Sequence, residues 1–197
     1  MIRSTVDAAV VVWSVPKTRW PVSAAVSAVP IVSMSRISPT RITSGSWRSA
    51  ALSAIAIETA ETGHLVFGTL HTTTAASTVD RVIDQFPSDR QAQIRIMLSE
   101  SLKGVIAQTL VPTADGQGRC VAAEVLVPTP GVRNLIREGK THQIYSTLQT
   151  GNQFGMQTMD SALAQLVREQ KITRELAEAR SSTPEELRRL MGTVRVA

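Results

Sequence analysis

Cysteine and long apolar runs are scarce in this chain of 197 residues, and each scarcity excludes a class of protein. The single cysteine, Cys120, excludes an internal disulfide and is typical of a reducing compartment. Because Cys120 lies in the strand-like run RCVAAEVLV, we expect a buried structural thiol. No apolar run approaches the ~20 residues that cross a bilayer. Asp7 precedes the apolar run at residues 8–15, which has no clear cleavage pattern, so we expect no secretory leader.

Acidic residues are nearly missing from residues 1–54, and this explains the formal charge of +5. That segment has six basic residues and one acid, whereas residues 55–197 carry fifteen of each sign. A basic chain would ordinarily suggest a nucleic-acid partner. Because the part with orderly patterning is neutral, we expect no nucleic-acid partner. A basic nucleic-acid-binding protein stays open as a third alternative that rests on residues 1–54 alone.

The most informative stretch is ETGHLVFGTLHT, residues 61–72. Residues 65–70 form a short apolar run that predicts a central strand covered on both faces. His71, Thr72 and Thr73 follow it, and a helix comes next. An imidazole, hydroxyls and the free N–H groups of a helix start suit phosphate recognition. From the pattern alone, a hydrogen-bonded structural histidine is the commoner alternative.

A second histidine, His64, precedes the same strand and lies seven positions before His71. Side chains alternate along a strand, so residues seven positions apart face opposite sides. We therefore expect no metal site between His64 and His71.

Periodicity predicts the remaining elements. We expect helices at residues 75–86 and 88–103, the latter begun by a capping box of Ser88 and Gln91. Residues 105–111 and 119–127 are predicted strands joined by a turn at 114–118. The second half is predicted to be helical. Thr129 is expected to cap a first helix that ends at Gly139, and Ile144 and Leu148 fall on one face of the next helix. The third helix has an apolar stripe of Met159, Leu163, Leu166 and Val167. Two further helices are expected to start at Thr173 and Thr183.

Two motifs within this frame carry a resemblance to a known family. The run from about Ile55 to about Arg180 resembles the secretion-type ATPases, and more narrowly the PilT-like retraction ATPases of type IV pili. ETGHLVFGTLHT is similar to the His box of that family. GVRNLIRE, residues 131–138, resembles its AIRNLIRE motif, with Gly131 and Val132 in place of Ala and Ile.

The resemblance implies a fold and a division of the chain. It implies an α/β fold, the C-terminal part of a RecA-like P-loop ATPase domain followed by a small all-α domain. Residues 1–54 would be a non-matching segment, 55–128 the partial ATPase core with the His box, and 129–197 the helical domain with GVRNLIRE.

The resemblance also implies roles for individual residues. His71 would contact or polarise the γ-phosphate, and His64 would support the neighbouring site or the hydrogen bonding of the strand. Thr72 and Thr73 would bind the nucleotide. The retraction or subunit-contact residues would be Arg133, Asn134, Arg137 and Glu138. From the pattern alone, Arg133 and Arg137 share one helix face that is equally consistent with a solvated basic surface.

Residues 1–54 do not follow the family. No GxxxxGK[S/T] occurs anywhere in the chain, and no acid ends an apolar strand in this segment. A flexible Ser/Arg-rich tail is one interpretation. Three tryptophans argue against an ordinary disordered tail. Because the family pattern begins abruptly near Ile55, we favour translation in the wrong frame with a return to frame there. The other two reading frames of the upstream DNA would test this.

These observations lead to one functional hypothesis and one alternative. The first is a partial PilT-like motor whose relatives use ATP and Mg²⁺ to drive pilus retraction and twitching motility, but which is inactive as written. Its relatives form hexamers with the inner-membrane pilus machinery, so we expect a cytoplasmic protein, peripheral at the inner membrane. The alternative is a non-catalytic truncated module that packs against an intact ATPase subunit.

Overall fold

The computed structural model describes residues 8–13, 56–62 and 64–192. The predictions that concern the rest of residues 1–55 lie outside the described residues. Residues 56–61 are helical and lead into the sheet.

Within the described residues, the sheet has four strands, each antiparallel to its neighbours, in the order β2-β1-β3-β4. They are β1 (Ala8–Trp13), β2 (Val66–Leu70), β3 (Leu102–Pro112) and β4 (Arg119–Leu126). Val11 of β1 lies opposite Gly68 of β2 on one side and Val105 of β3 on the other. A flexible tail is therefore wrong for residues 8–13. Their unbroken apolar run, AAVVVW, fits a strand with a neighbour on each side.

The expected central position of the His-box strand is wrong in the described sheet. β2 is an edge strand, since β1 is its only paired neighbour in the described part of the chain. Its residues are half-buried apart from Thr69, which is exposed. An apolar run alone cannot distinguish these positions, because the partner that makes a strand central lies far away in sequence.

The β3–β4 hairpin confirms the predicted turn. Gly116 has φ +69°, a conformation that glycine adopts without strain. The Asp115 carboxylate accepts hydrogen bonds from the Thr113 hydroxyl at 2.5 Å and from the Gln117 N–H at 3.0 Å. Cys120 is half-buried beside this hairpin, with its Sγ 3.5 Å from the Val111 carbonyl oxygen.

Two helices lie between β2 and β3: α1 (Ala75–Ile83) and α2 (Ser88–Ser101). The predicted capping box at the start of α2 is wrong, because Pro87 occupies the cap position and Ser88 is already helical. Gln91 instead donates from Nε2 to the Phe86 carbonyl oxygen at 3.1 Å, which still ties the helix start to the preceding turn.

The second half contains five further helices, as the sequence predicts. They are α3 (Pro130–Arg137), α4 (Ile144–Thr150), α5 (Met159–Arg168), α6 (Arg174–Arg180) and α7 (Pro184–Gly192). Hydroxyl oxygens of Thr129, Thr158 and Thr173 accept N–H groups at the starts of α3, α5 and α6. Each satisfies an N–H group that has no partner within its helix.

Buried apolar side chains form two clusters. The first joins the sheet to α1–α4 and includes Leu102, Ile136 and Leu148; the second joins the far end of the β3–β4 hairpin to α5–α7 and includes Leu163 and Leu187. The predicted boundary at residue 129 thus marks a change of secondary structure rather than of packing. In the described ranges, no helix combines the length and apolar character needed to cross a bilayer.

Candidate functional site

The His-box strand ends at Leu70, and a short loop leads directly into α1. Thr74 fixes the start of that helix. Its hydroxyl oxygen accepts the Ser77 N–H at 3.1 Å, and the Thr74 N–H donates to the Ser77 hydroxyl at 3.2 Å. This reciprocal capping box sets the direction of the loop 71–73 relative to α1.

An open groove of about 420 Å³ lies along this loop and one face of α1. Its lining consists of His71, Thr72, Thr73, Ser77, Asp80, Arg81 and Asp84. The structure therefore brings three of the four predicted nucleotide-site residues into one groove. The α1 residues among them recur at the spacing of a single helix face.

Some of the groups expected to bind phosphate are already hydrogen-bonded within the fold. The hydroxyls of Thr72 and Thr78 are 2.7 Å apart, so Thr72 is engaged within the fold. The helix start is also engaged, because the Ala75 N–H donates to Glu124 Oε1 at 2.7 Å. The expectation of free N–H groups is therefore wrong for Ala75 and Ser77, whose N–H groups are hydrogen-bonded. Of the predicted residues, His71 and Thr73 are exposed in the groove.

The charges that line the groove would repel a phosphate group that has no accompanying cation. Two carboxylates, Asp80 and Asp84, stand against the single guanidinium of Arg81. These three groups together carry an excess of negative charge. A polyphosphate would bind here with the help of a cation or of positive groups from elsewhere, since like charges raise the free energy of the bound state.

His64 lies outside this groove. It is exposed ahead of β2, and its Nδ1 is 3.0 Å from the Thr62 hydroxyl oxygen. It sits at the opposite end of the strand from His71, and the groove lining does not include it. A direct role for both histidines at one phosphate is not supported by this arrangement.

Arg133 of the GVRNLIRE segment has a structural contact that the sequence did not predict. Its guanidinium donates to the Ser99 carbonyl oxygen, to that of Glu100 at 2.9 Å and to that of Leu102 at 3.0 Å. These are carbonyls at the end of α2, which lacks a basic residue in its last turn. Burial lowers the pKa of Arg133 from its ordinary value. Arg133 therefore caps α2 and does not belong to a solvated basic face.

The other three residues of the predicted contact surface are exposed. Asn134 Nδ2 donates to Glu138 Oε1 at 2.7 Å, and Glu138 Oε2 lies 2.8 Å from Lys140 Nζ. Hydrogen bonds from Lys140 and Asn134 lower the pKa of the Glu138 carboxyl. Arg137 is exposed one turn after Arg133. These side chains line the outer face of α3 and its end.

Sequence analysis missed Glu124, which is 2% exposed. Its Oε1 accepts the Ala75 N–H, and its Oε2 accepts the Met159 N–H at 3.4 Å. Burial raises the pKa of this carboxyl, and the two N–H donors act in the opposite direction. The alternation of side chains along β4 indicates this position, because Glu124 lies on the inward side of the strand between buried Ala122 and Leu126.

The described residues provide few groups for a cofactor. No three His, Cys, Asp or Glu side chains in this part of the chain are grouped so that they could hold a metal ion. His71 and Thr73 bring one imidazole and one hydroxyl to the groove. Asp80 and Asp84 are oxygen donors of the kind that Mg²⁺ prefers.

A family model and several known proteins are similar to this chain. The family model described as type II/IV secretion system protein matches residues 26–193, so the match begins before the expected start near Ile55. The type IV pilus retractation ATPase PilT of Pseudomonas aeruginosa is 51% identical over 76% of this chain and 43% of its own length. A twitching motility protein of Neisseria gonorrhoeae is 51% identical over 77% of this chain and 41% of its own.

A solved structure has the same fold over most of the described residues. The crystal structure of the pilus retraction motor PilT with bound ADP superimposes with a TM-score of 0.62 at 48% identity. The match covers 69% of this chain and 38% of that one. The chain thus spans about two fifths of the length of the relatives it matches.

Proposed function

Since the chain belongs to the type II/IV secretion system protein family, we propose that it is the C-terminal part of a PilT-like motor ATPase. In the complete motor, ATP binding and hydrolysis would drive type IV pilus retraction and twitching motility. The observation that carries this proposal is the placement of His71 and Thr73 together in an open groove at the end of β2. The 51% identity to the P. aeruginosa protein supports the retraction branch.

In this proposal, His71 and Thr73 contact the terminal phosphate of ATP. The His71 imidazole donates a hydrogen bond to a phosphate oxygen, and the Thr73 hydroxyl donates a second. Bound Mg²⁺ would neutralise phosphate charge, which the two carboxylates of the groove make necessary. Thr72 acts indirectly, by holding the loop against α1 through Thr78.

We further propose that the 197-residue chain alone does not hydrolyse ATP. Such hydrolysis needs a glycine-rich loop with a Lys on the phosphates and a carboxylate that orients water. The sequence contains no GxxxxGK[S/T]. Two exposed groups cannot replace a preorganised electrostatic cradle that contributes several kcal/mol. Reading the encoding DNA upstream of codon 55 in its other two frames tests whether these motifs were displaced by a frame change.

The exposed side of α3 would form the subunit contact in this proposal. Asn134, Arg137 and Glu138 present polar groups outward, while Arg133 holds α3 against the end of α2. We propose a homo-oligomer, a hexamer as in intact motors, that works in the cytoplasm at the inner-membrane pilus machinery. No nucleic-acid partner is proposed.

A second candidate is a non-catalytic module that packs against an intact ATPase subunit. The charge of the groove favours it, because two carboxylates face one guanidinium and the α1 start is occupied by Glu124. Both features weaken phosphate binding by the chain alone. This candidate predicts an effect on an intact PilT-type ATPase without nucleotide binding by the module.

Nucleotide titration separates the two candidates. The chain, His71→Ala and the control His142→Ala are titrated with Mg·ATP by calorimetry, and ATP turnover is measured in parallel. His142 is exposed and lies outside the groove, so its loss should change nothing. Weak binding that His71→Ala removes supports the motor fragment. No binding, with altered turnover of an added intact PilT-type ATPase, supports the module. Turnover by the chain that is lost in His71→Ala would refute the proposed inactivity.

A further inference from the structure

The Glu124 carboxylate joins the starts of two helices that are far apart in sequence. Ala75 is the first residue of α1 and Met159 the first residue of α5; they lie 49 and 35 positions from Glu124. One carboxylate oxygen accepts from each. Both helix starts direct the positive end of their dipole at the same anion, an arrangement that stabilises the charged form.

The two helix starts have the same construction. Each begins with a threonine cap whose hydroxyl oxygen accepts the N–H three residues later, Ser77 for Thr74 and Ser161 for Thr158, both at 3.1 Å. The cap therefore satisfies the third helical N–H group and leaves the first to Glu124. A carboxylate buried to this degree raises the free energy of folding unless its oxygens are hydrogen-bonded, so the two contacts account for its position.

Polar contacts continue from α5 into the C-terminal helical region. Asp160, the second residue of α5, is 1% exposed; it accepts the Ser181 hydroxyl at 2.6 Å and the Tyr145 hydroxyl at 3.3 Å. Ser181 precedes α7 and Tyr145 belongs to α4. A displacement of these helices reaches the start of α5 through part-buried hydrogen bonds to the buried Asp160 carboxylate.

We propose that Glu124 is a positioning residue that transmits the position of α5 to the loop 71–73, and so sets where the His71 imidazole stands. A shift of the α5 start moves the Met159 N–H, the carboxylate follows it, and the Ala75 N–H follows the carboxylate. Because Thr74 ties Ala75 to the loop, the imidazole moves as well. The functional meaning of this coupling rests on the proposed role of His71 at a phosphate.

The test uses the full chain without nucleotide, so that its outcome does not depend on the proposed function. The chain has three histidines, His64, His71 and His142, whose ring signals can be followed separately by NMR. Glu124→Gln keeps the shape but has one acceptor oxygen in place of two. We expect the His71 signal to shift while the other two stay. We also expect amide exchange at Ala75 or Met159 to rise about tenfold, the effect of one lost charged hydrogen bond.

A cross-helix perturbation tests the transmission itself. Ser181→Ala removes the 2.6 Å hydrogen bond to Asp160, the second residue of α5. We expect it to shift the His71 signal in the wild-type background and to have no further effect in Glu124→Gln. Thr173→Ala, which removes the cap of α6, is the matched control and should leave His71 unmoved.

Two results would overturn the proposal. One is an unmoved His71 signal in Glu124→Gln or in Ser181→Ala. The other is an equal movement of all three histidine signals, which would indicate general loosening. If Glu124→Gln does not fold, Ser181→Ala and Thr173→Ala alone decide, since both changes are at partly exposed sites. A loss of ATP binding would bear on the proposed function and not on this coupling.

Discussion

Replacing Arg133 tests whether this residue of the GVRNLIRE segment acts as a helix cap. In Arg133→Ala, the carbonyl oxygens of Ser99, Glu100 and Leu102 lose their shared donor. Ser99 and Leu102 are 0% exposed. Each buried carbonyl left unpaired costs about 1–1.5 kcal/mol. The lost cation at the end of α2 adds about 0.5 kcal/mol.

The free energy of unfolding should therefore fall by about 3 kcal/mol, which corresponds to a drop in Tm of about 6–12 °C for a chain of this length. Arg133→Lys should recover about half of the loss, because an ammonium keeps the charge but lacks the planar fork that reaches several carbonyls. Arg137→Ala is the matched control, on the same helix and exposed; it should change the free energy by about 0.5 kcal/mol or less.

Urea unfolding followed by circular dichroism measures all three variants. Equal stability of Arg133→Ala and Arg137→Ala would refute the capping role and would support the interpretation of Arg133 as part of a solvated basic face. Full recovery by Arg133→Lys would show that charge alone matters. If Arg137→Ala leaves the free energy of unfolding nearly unchanged, any effect of that substitution on retraction reflects the exposed surface of α3 and not a loss of stability.

Three further predictions concern buried space, backbone entropy and charge. Gly151→Ala should lower the free energy of unfolding by about 1–3 kcal/mol, because the added Cβ would lie 2.3 Å from Met156 Sδ and 3.0 Å from its Cβ. Gly131→Ala should raise the free energy of unfolding by about 0.5–1 kcal/mol, since the site is helical and exposed and the nearest atom to the new Cβ is 3.9 Å away. Urea unfolding measures both glycine variants. A lower free energy of unfolding in Gly131→Ala would contradict the helical assignment. Burial raises the pKa of Glu124, so the folded state holds its proton more tightly than the unfolded state does. The contribution of Glu124 to stability is therefore complete below the ordinary pKa and declines as pH rises through the raised value. Tm measured against pH should show this decline in the wild type but not in Glu124→Gln, and parallel curves would refute it.

Local signals in the sequence predicted most elements correctly. Threonine caps, the apolar stripes of α4 and α5 and the turn at 114–118 depend on residues close in the chain, and these predictions are confirmed. The capping box at Ser88 was wrong because Pro87 already takes the cap position. That competition is local, but the pattern of Ser and Gln alone does not reveal it.

Contacts between distant residues could not be predicted in this way. The edge position of β2 depends on β1, and the cap on α2 comes from Arg133, more than 30 positions further on. Glu124 was missed for the same reason, since its partners lie 49 and 35 positions away. At the site, the resemblance predicted the residues of the loop 71–73. It did not predict that the start of α1 is occupied, because the group that occupies it is the distant Glu124 carboxylate.

The order of strands in the sheet has a consequence for synthesis on the ribosome. β1 is made first but pairs with β2 and β3, with Val11 opposite Gly68 and Val105. At about 5–20 residues per second, its first partner is complete roughly 3–11 s later and its second roughly 5–20 s later. During that time the apolar run AAVVVW lacks both of the strands that pair with it in the described sheet. The nascent chain is therefore a substrate for chaperones that bind extended apolar segments, and its yield in cells should depend on them more than its folded stability would indicate.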